Sequence, residues 1–158
     1  MRYRLLLPFL LAAAVSACAP AMPPQIQTPL AIQSIQSREY EASRDIVFPS
    51  VISMFQDLGY IITNADMATG LISAESAAQS SDDFESFLMG QTKVSQTKAT
   101  GFVETIGTMT RLRLNFVEIN QTSTDYGQTD RHDTPIMNPG LYQNAFSRVE
   151  NGIFLRSE

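Results

Sequence analysis

Residues 98–121, KATGFVETIGTMTRLRLNFVEINQ, decide the fold of this chain. Within them Leu112, Leu114 and Phe116 alternate with polar residues. Alternation of this kind is typical of a β-strand with one buried face and one solvated face. The stretch therefore predicts strands that cover a hydrophobic core on one side only.

The same stretch contains a turn and a change in the apolar pattern. Gly107-Thr108 is short enough to join strands Lys98–Ile106 and Met109–Gln121 as a hairpin. Beyond residue 116 the apolar positions shift to Val117 and Ile119. A β-bulge near residue 116, or a strand leaving the sheet edge, would account for the shift.

An amphipathic helix is predicted before this hairpin. Ser43 and Asp45 offer capping oxygens, and Pro49 is tolerated only near the first turn, so the helix should start close to Asp45. Gly59 supplies a left-handed cap, which ends the helix there. The apolar stripe between these ends has helical spacing and comprises Phe48, Val51, Ile52, Phe55 and Leu58.

A second helix is predicted near the end of the sequence. Asn138 is a suitable N-cap residue, and Pro139 suits the first helical position. One side of this helix is apolar and comprises Tyr142, Ala145, Phe146, Val149, Ile153 and Phe154.

The remaining segments are assigned by turn chemistry. Ile35–Ala42 can form a first strand, and the segment 60–75 predicts a hairpin with Asp66 as a turn residue. The segment 77–91, which contains Phe84, Phe87 and Leu88, is predicted as a loop with one short helical turn. Its phenylalanines are expected to cap the core, with ligand binding as the alternative. The polar segment 121–137 is predicted as turns. We expect a single α+β domain over residues 35–158, an antiparallel sheet of about four to five strands with two packed amphipathic helices.

The first residues have the organisation of an export signal. Arg2 and Arg4 precede the apolar run Leu5–Val15, and the small residues Ser16 and Ala17 follow it. The run is too short to span a bilayer as a helix. We therefore expect residues 1–17 to be a signal peptide.

Val15-Ser16-Ala17-Cys18 resembles the lipobox of bacterial lipoproteins. The resemblance implies lipidation of Cys18, the only cysteine in the sequence, and attachment to a membrane by acyl chains such as palmitate. Ala19 stands where an aspartate would retain such a lipoprotein in the inner membrane, so the resemblance implies the periplasmic side of the outer membrane. An ordinary signal peptide cut elsewhere is the alternative. Residues 18–34, rich in proline, are predicted to form an extended tether.

The order of elements carries a second resemblance. The helix ended by Leu58-Gly59-Tyr60, the hairpin closing with Gly70-Leu71-Ile72 and the terminal helix carrying residues 142–146 resemble a helix-grip domain. Such domains occur in the lipoprotein C subunit of the outer-membrane β-barrel assembly machinery. That family has no catalytic residues to carry over, and its two domains contrast with the one expected here, so membership in the machinery is not implied.

The charge balance limits the possible partners. Cleavage would remove Arg2 and Arg4 from 11 basic residues and leave 9 against 16 acidic ones, a net charge of 9 − 16 = −7. Binding of nucleic acid depends on clustered Lys and Arg, which this chain lacks. The same balance argues against binding anionic lipid head groups by charge.

Few residues are candidates for chemistry. His132, the only histidine, lies between carboxylates in Asp130-Arg131-His132-Asp133, where acid–base catalysis and a solvated loop are both open. Asp82, Asp83 and Glu85 lack the ligand spacing of a calcium loop. We therefore expect a non-enzymatic protein with no catalytic, cofactor or metal site.

Three functions remain open at this point. The first is a binding or assembly module that receives an envelope protein or peptide, at a sheet edge or in the groove between helix and sheet. The second is a carrier of a small apolar ligand. The third is an envelope hydrolase that uses Asp or Glu with His132. The carrier's cavity would be lined by Phe102, Leu114, Phe116 and Phe146.

Overall fold

The computed structural model describes residues 29–81 and 91–158, and over these ranges the chain is an α+β fold. The predicted fold class is confirmed, but the predicted four to five strands are too few, because the described residues form seven strands in one antiparallel sheet. The helices are α1 (Pro29–Gln36), α2 (Arg44–Asp57) and α3 (Pro139–Ser157). The strands are β1 (Ser37–Tyr40), β2 (Ile61–Asp66), β3 (Leu71–Glu75), β4 (Gln79–Ser81), β5 (Gln91–Ile106), β6 (Met109–Thr124) and β7 (Thr129–Pro135).

The sheet is organised around the long hairpin β5–β6. Its strand order is β1-β6-β5-β3-β2, with β4 paired to the far part of β5 and β7 to the far part of β6. We call residues 98–106 and 109–117 the proximal half of the hairpin, which β1 and β3 flank. Residues 91–97 and 118–124 form the distal half, which β4 and β7 flank. The predicted turn Gly107-Thr108 is confirmed, because Ile106 pairs with Met109 across it.

The core lies between the proximal half and the helices α2 and α3. Leu112, Leu114 and Phe116 are completely buried, as the alternation predicted. The Phe116 ring contacts three other aromatic rings edge-on or tilted, with centroids 5.2 to 6.3 Å apart. These geometries are the ones aromatic pairs prefer. The three rings belong to Phe55, Tyr60 and Tyr142.

Helix α2 has the predicted start and end. Gly59 has a φ of +83° and its N–H donates to Gln56, while the N–H of Tyr60 donates to Phe55. This is the left-handed cap that the sequence predicted. At the other end, Ser43 occupies the N-cap position but its side chain makes no capping hydrogen bond, so that part of the prediction is wrong.

Helix α3 begins as predicted but its apolar side is shorter than predicted. The Asn138 side chain accepts a hydrogen bond from the N–H of Gly140 at 2.9 Å. Tyr142 and Phe146 are buried, whereas Phe154 is 64% exposed. The prediction that Phe154 faces the core is therefore wrong, because Phe154 lies about 100° around the helix from Ile153, which does pack against the core.

Helix α1 is an element that the sequence analysis missed. Residues 29–34 were expected to be extended tether and residues 35–42 a strand, but the chain is helical from Pro29 to Gln36 and β1 is limited to Ser37–Tyr40. Proline suits the first position of a helix, and Ile35 packs against the core, which explains the helix. Residues 18–28 of the predicted tether lie outside the described residues.

The long strands continue where turns or a bulge had been expected. The register of β5 against β6 is unbroken past residue 116, so the predicted β-bulge is absent there. Val117 and Ile119 simply lie on the helix-free face, and the apolar pattern shifts where the helices stop covering the sheet. Strands β4 and β7 replace parts of a predicted loop and of the predicted turns.

Candidate functional site

The structure places His132 on the edge strand β7, exposed and opposite Asn120. The side chains of its neighbours Arg131 and Asp133 point to the opposite face of the strand, where they form an ion pair at 2.8 Å. The guanidinium holds the pKa of the Asp133 carboxyl below its usual range by hydrogen bonding. Asp133 is therefore engaged with arginine and is not oriented toward His132 as an acid–base partner.

The other chemical candidates lie outside the described residues or do not cluster. Cys18, Asp82, Asp83 and Glu85 fall outside the described ranges, as do Phe84, Phe87 and Leu88. Within residues 29–81 and 91–158, no group of three or more His, Cys, Asp or Glu side chains is placed to hold a metal ion. None of the helices in those ranges is long and apolar enough to cross a membrane.

The four residues expected to line a ligand cavity do not share one space. Leu114, Phe116 and Phe146 are buried between the sheet and the helices. Phe102 pairs with Leu71 on the helix-free face and is 38% exposed. The expectation of one cavity lined by all four is therefore wrong, because Phe102 and Leu114 lie on opposite faces of the sheet.

A groove of about 340 Å³ lies between the end of β1 and the last turns of α3. One wall comes from Tyr40, Glu41 and Ala42, at the end of β1 and in the loop that follows it. The other wall comes from α3, and we call the whole the β1 groove. The α3 wall comprises Glu150, Ile153, Phe154 and Ser157.

The β1 groove adjoins an unpaired strand edge. Strand β1 is the last strand of the sheet on its side and pairs only with β6 among the described residues. Alternate backbone N–H and C=O groups of an edge strand point away from its only neighbour, which makes the edge a template for another strand. The structure therefore places an open edge and a largely apolar groove side by side.

Tyr40 is the most buried residue of the groove, with 8% of its surface exposed. Its hydroxyl is shielded from solvent and has no hydrogen-bond partner among the described residues. Burial, with the nearby Glu150 carboxylate, raises the pKa of this phenol above its usual value. The hydroxyl therefore stays protonated and is an unused hydrogen-bond donor and acceptor.

The carboxylates around the groove differ in their pairing. Glu150 accepts from Arg38 at 2.8 Å, and the Arg38 guanidinium also stacks 4.8 Å from the centre of the Phe146 ring. Glu39, on the other face of β1, pairs with Arg111 at 2.8 Å. Glu41 is exposed and no described residue pairs with it. One free carboxylate and one shared carboxylate therefore border the groove.

The α3 wall is held firmly against α2. A Cβ atom added at Gly152 would lie only 3.1 Å from the Cβ of Ser50, so the two helices approach closely at small residues. Arg156 then bridges the helices, because it donates to the Ser53 hydroxyl at 2.8 Å and to the Gly152 carbonyl at 3.0 Å. On the other side, Thr110 is buried and donates to the Ala42 carbonyl at 2.6 Å.

Comparison with known proteins gives no relative from which a role could be transferred, because the chain matches no protein-family model and no curated protein sequence.

Sequence reasoning missed the β1 groove, although one signal was available. Phe154 and Leu155 are adjacent large apolar residues, and neighbours in a helix point about 100° apart, so both could not face the same core. The structure leaves both exposed, at 64% and 71%. Tyr40 and Glu150 carry no such signal, since only the fold brings β1 beside α3.

Proposed function

We propose that this chain is an exported binding module of the cell envelope, anchored by lipid on Cys18 to the periplasmic side of the outer membrane, with no catalytic role. Its domain receives an envelope protein at the β1 groove. The lipobox resemblance supports the anchor, and the juxtaposition of an open strand edge with an exposed apolar wall supports the binding role.

The exposed Phe154 carries the proposal for the binding role. Removing a phenylalanine side chain from water contributes about 1.5–3 kcal/mol, and a partner that covers Phe154 would gain most of it. Contiguous exposed apolar surface marks interaction sites more often than single residues do, and Phe154 adjoins the apolar lining of the groove. The residues named for a small-ligand carrier lie on two faces of the sheet, so that alternative has no comparable support.

Site-specific photocrosslinking tests the binding role. A photoreactive phenylalanine analogue at position 154 should give a reproducible adduct with an envelope protein in intact cells. The matched control is position 126, because Tyr126 is also aromatic and is 95% exposed in the turn between β6 and β7. Equal labelling at the two positions, or none at position 154, would contradict binding at the groove.

Fractionation tests the anchor separately. The Cys18→Ser variant should leave the membrane fraction, and the native chain should incorporate labelled palmitate. Continued membrane association of the variant, together with no palmitate incorporation in the native chain, would contradict the lipid anchor and leave the groove proposal standing.

A further inference from the structure

We infer that the segment received by the β1 groove is an extended strand that carries one large apolar side chain with a lysine or arginine two residues away. This inference rests on the proposed function and names the chemistry of its partner. It combines the open β1 edge, the apolar wall and the two bordering carboxylates.

The edge of β1 determines that the segment is extended. A strand added beside β1 satisfies the outward backbone groups, which have no partner among the described residues. Side chains of that strand alternate, so every second one points toward α3, at intervals of about 6–7 Å. One such side chain enters the groove and its neighbours two residues away lie at the groove's ends.

The lining of the groove determines that the entering side chain is apolar. Ala42, Ile153 and Phe154 offer carbon surface, and the Tyr40 ring forms the buried wall. The Tyr40 hydroxyl is the one buried polar atom there without a partner among the described residues. Because this hydroxyl is shielded from solvent, the surface that an entering side chain meets is mainly carbon.

The carboxylates determine the charge of the flanking residue. Glu41 has no described partner, and Glu150 shares its charge with Arg38 alone. A lysine or arginine beside the apolar anchor meets both carboxylates, whereas an acidic residue there is repelled. Electrostatic complementarity of this kind selects partners more than it adds affinity.

A second copy of this chain is disfavoured by charge. A two-fold contact through the β1 edges would pair the strands antiparallel, so the groove at the end of one β1 would lie beside the start of the other β1. Each copy carries the same negative net charge, −5 by sequence, and this like charge opposes the association of two copies. A basic, extended segment of another protein fits the groove better.

Peptide probes test the inference on the purified full-length chain in detergent micelles. The reference probe is a fluorescein-labelled heptapeptide, Thr-Lys-Thr-Phe-Thr-Lys-Thr, whose Lys and Phe side chains share one face of a strand. Matched probes replace both lysines by glutamate, replace phenylalanine by serine, or N-methylate alternate backbone positions in either parity. Fluorescence anisotropy measures the dissociation constant of each.

We expect the reference probe to bind and the glutamate and serine probes to bind at least about tenfold more weakly. One parity of N-methylation should weaken binding by about tenfold or more while the other parity binds normally, because only one set of N–H groups faces β1. Phe154→Ser should weaken the reference probe similarly. Glu41→Lys should weaken the reference probe and strengthen the glutamate probe.

Two matched variants control for loss of fold. Leu155→Ser removes the neighbouring exposed apolar residue, which borders a different cleft, and Asp125→Lys changes charge in the distal turn. Both should bind the reference probe like the native chain. Circular dichroism checks that all four variants keep native helix and strand content.

Several outcomes would overturn the inference. These are the absence of binding by the reference probe, equal binding of the lysine and glutamate probes, equal effects of the two N-methylation parities, or a dimer in light scattering that Phe154→Ser dissociates. An adduct at position 154 in cells with no probe binding would keep the binding module and reject this partner chemistry. Probe binding without the adduct would support the partner chemistry of the groove and reject an envelope protein as its occupant in cells.

Discussion

The two halves of the β5–β6 hairpin use the same strands in opposite ways. In the proximal half one face is covered by α2 and α3, and the helix-side residues from Ala99 to Val103 and from Leu112 to Phe116 are completely buried. In the distal half the described residues are all exposed or half-buried, and every residue of β7 is exposed. The boundary between the halves falls within about one residue of Phe116.

The difference shows that a regular strand can extend beyond the core that stabilises it. The proximal half is stabilised by apolar burial. The distal half relies on the backbone ladder and on cross-strand pairs of polar residues such as Thr92 with Ser123 and Ser95 with Asn120. Such pairs each contribute only about 0.2–1 kcal/mol. The distal half should therefore depend on the proximal half for its stability and contribute little to the free energy of unfolding.

The largest expected effect comes from deleting a ring at the boundary. Phe116→Ala should lower the free energy of unfolding by about 3–5 kcal/mol, because it leaves a cavity among three aromatic rings. The matched change Ile119→Ala, three residues farther along β6, should cost less than about 1 kcal/mol. Chemical denaturation measures both, and similar losses would show that the distal half has a core of its own.

The next largest effect on stability is expected from replacing a turn glycine by alanine. Gly70 and Gly127 both have φ near +80°, where a side chain is strained by about 1–3 kcal/mol. At Gly70 the added Cβ would also lie 2.1 Å from the Val103 carbonyl oxygen, while at Gly127 it meets nothing. Gly70→Ala should therefore lower the melting temperature clearly more than Gly127→Ala. Equal shifts in melting temperature would mean that the turn at Gly70 is not packed against β5.

Amide exchange should reveal the boundary without mutation. We expect amides of residues 91–97, 118–124 and 129–135 to exchange at least about tenfold faster than hydrogen-bonded amides of residues 98–106 and 109–117, because few buried contacts oppose opening of the distal half. Hydrogen–deuterium exchange with mass spectrometry measures this. Uniform protection along both strands would contradict the comparison.

The smallest expected effect concerns pH. Hydrogen bonds from Thr69 and from the Ala68 N–H lower the pKa of Asp66, the last residue of β2 before the turn to β3. Its carboxylate therefore stabilises the fold above the pKa of the unfolded chain, and this contribution is lost as the pH falls through the folded pKa. Asp66→Ala should lower the melting temperature slightly at neutral pH and approach no effect in strong acid.

Asp133→Ala supplies the distal comparison for that pH measurement. The pKa of Asp133 is also lowered, but its partner Arg131 lies on the same exposed strand. We expect a smaller change in melting temperature than for Asp66→Ala, because an ion pair within an exposed edge strand adds little to global unfolding. A larger effect at Asp133 would indicate that β7 unfolds together with the core.

The sequence predicted the proximal half well because burial leaves a periodic pattern. The α2 stripe, the Gly59 cap, the Asn138 cap and the Gly107 turn were all found where the structure has them. Strands β4 and β7 were missed, since a strand with no buried face has no apolar alternation to detect. The shift of the apolar pattern at Val117 is visible in the sequence, but it comes from the change of buried face and not from a β-bulge.

The groove could not be predicted because it depends on which elements become neighbours. Strand β1 and the end of α3 are more than 100 residues apart, and Arg38 with Glu150 joins them only in the fold. The prediction grouped Phe154 with the core residues of α3, although it lies about 100° around the helix from Ile153, which packs against the core. Which element lies beside the uncovered side of α3 is a tertiary fact that periodicity does not contain.

The close approach of Ser50 and Gly152 has a consequence for recognition. With only the small Ser50 side chain between them, α2 and α3 pack closely, and Arg156 joins the last turn of α3 to α2. The proposed receiving surface is thus largely preorganised, and most of the loss of conformational entropy on binding would fall on the incoming chain. Affinity at such a surface is governed by how readily the guest adopts a strand by itself.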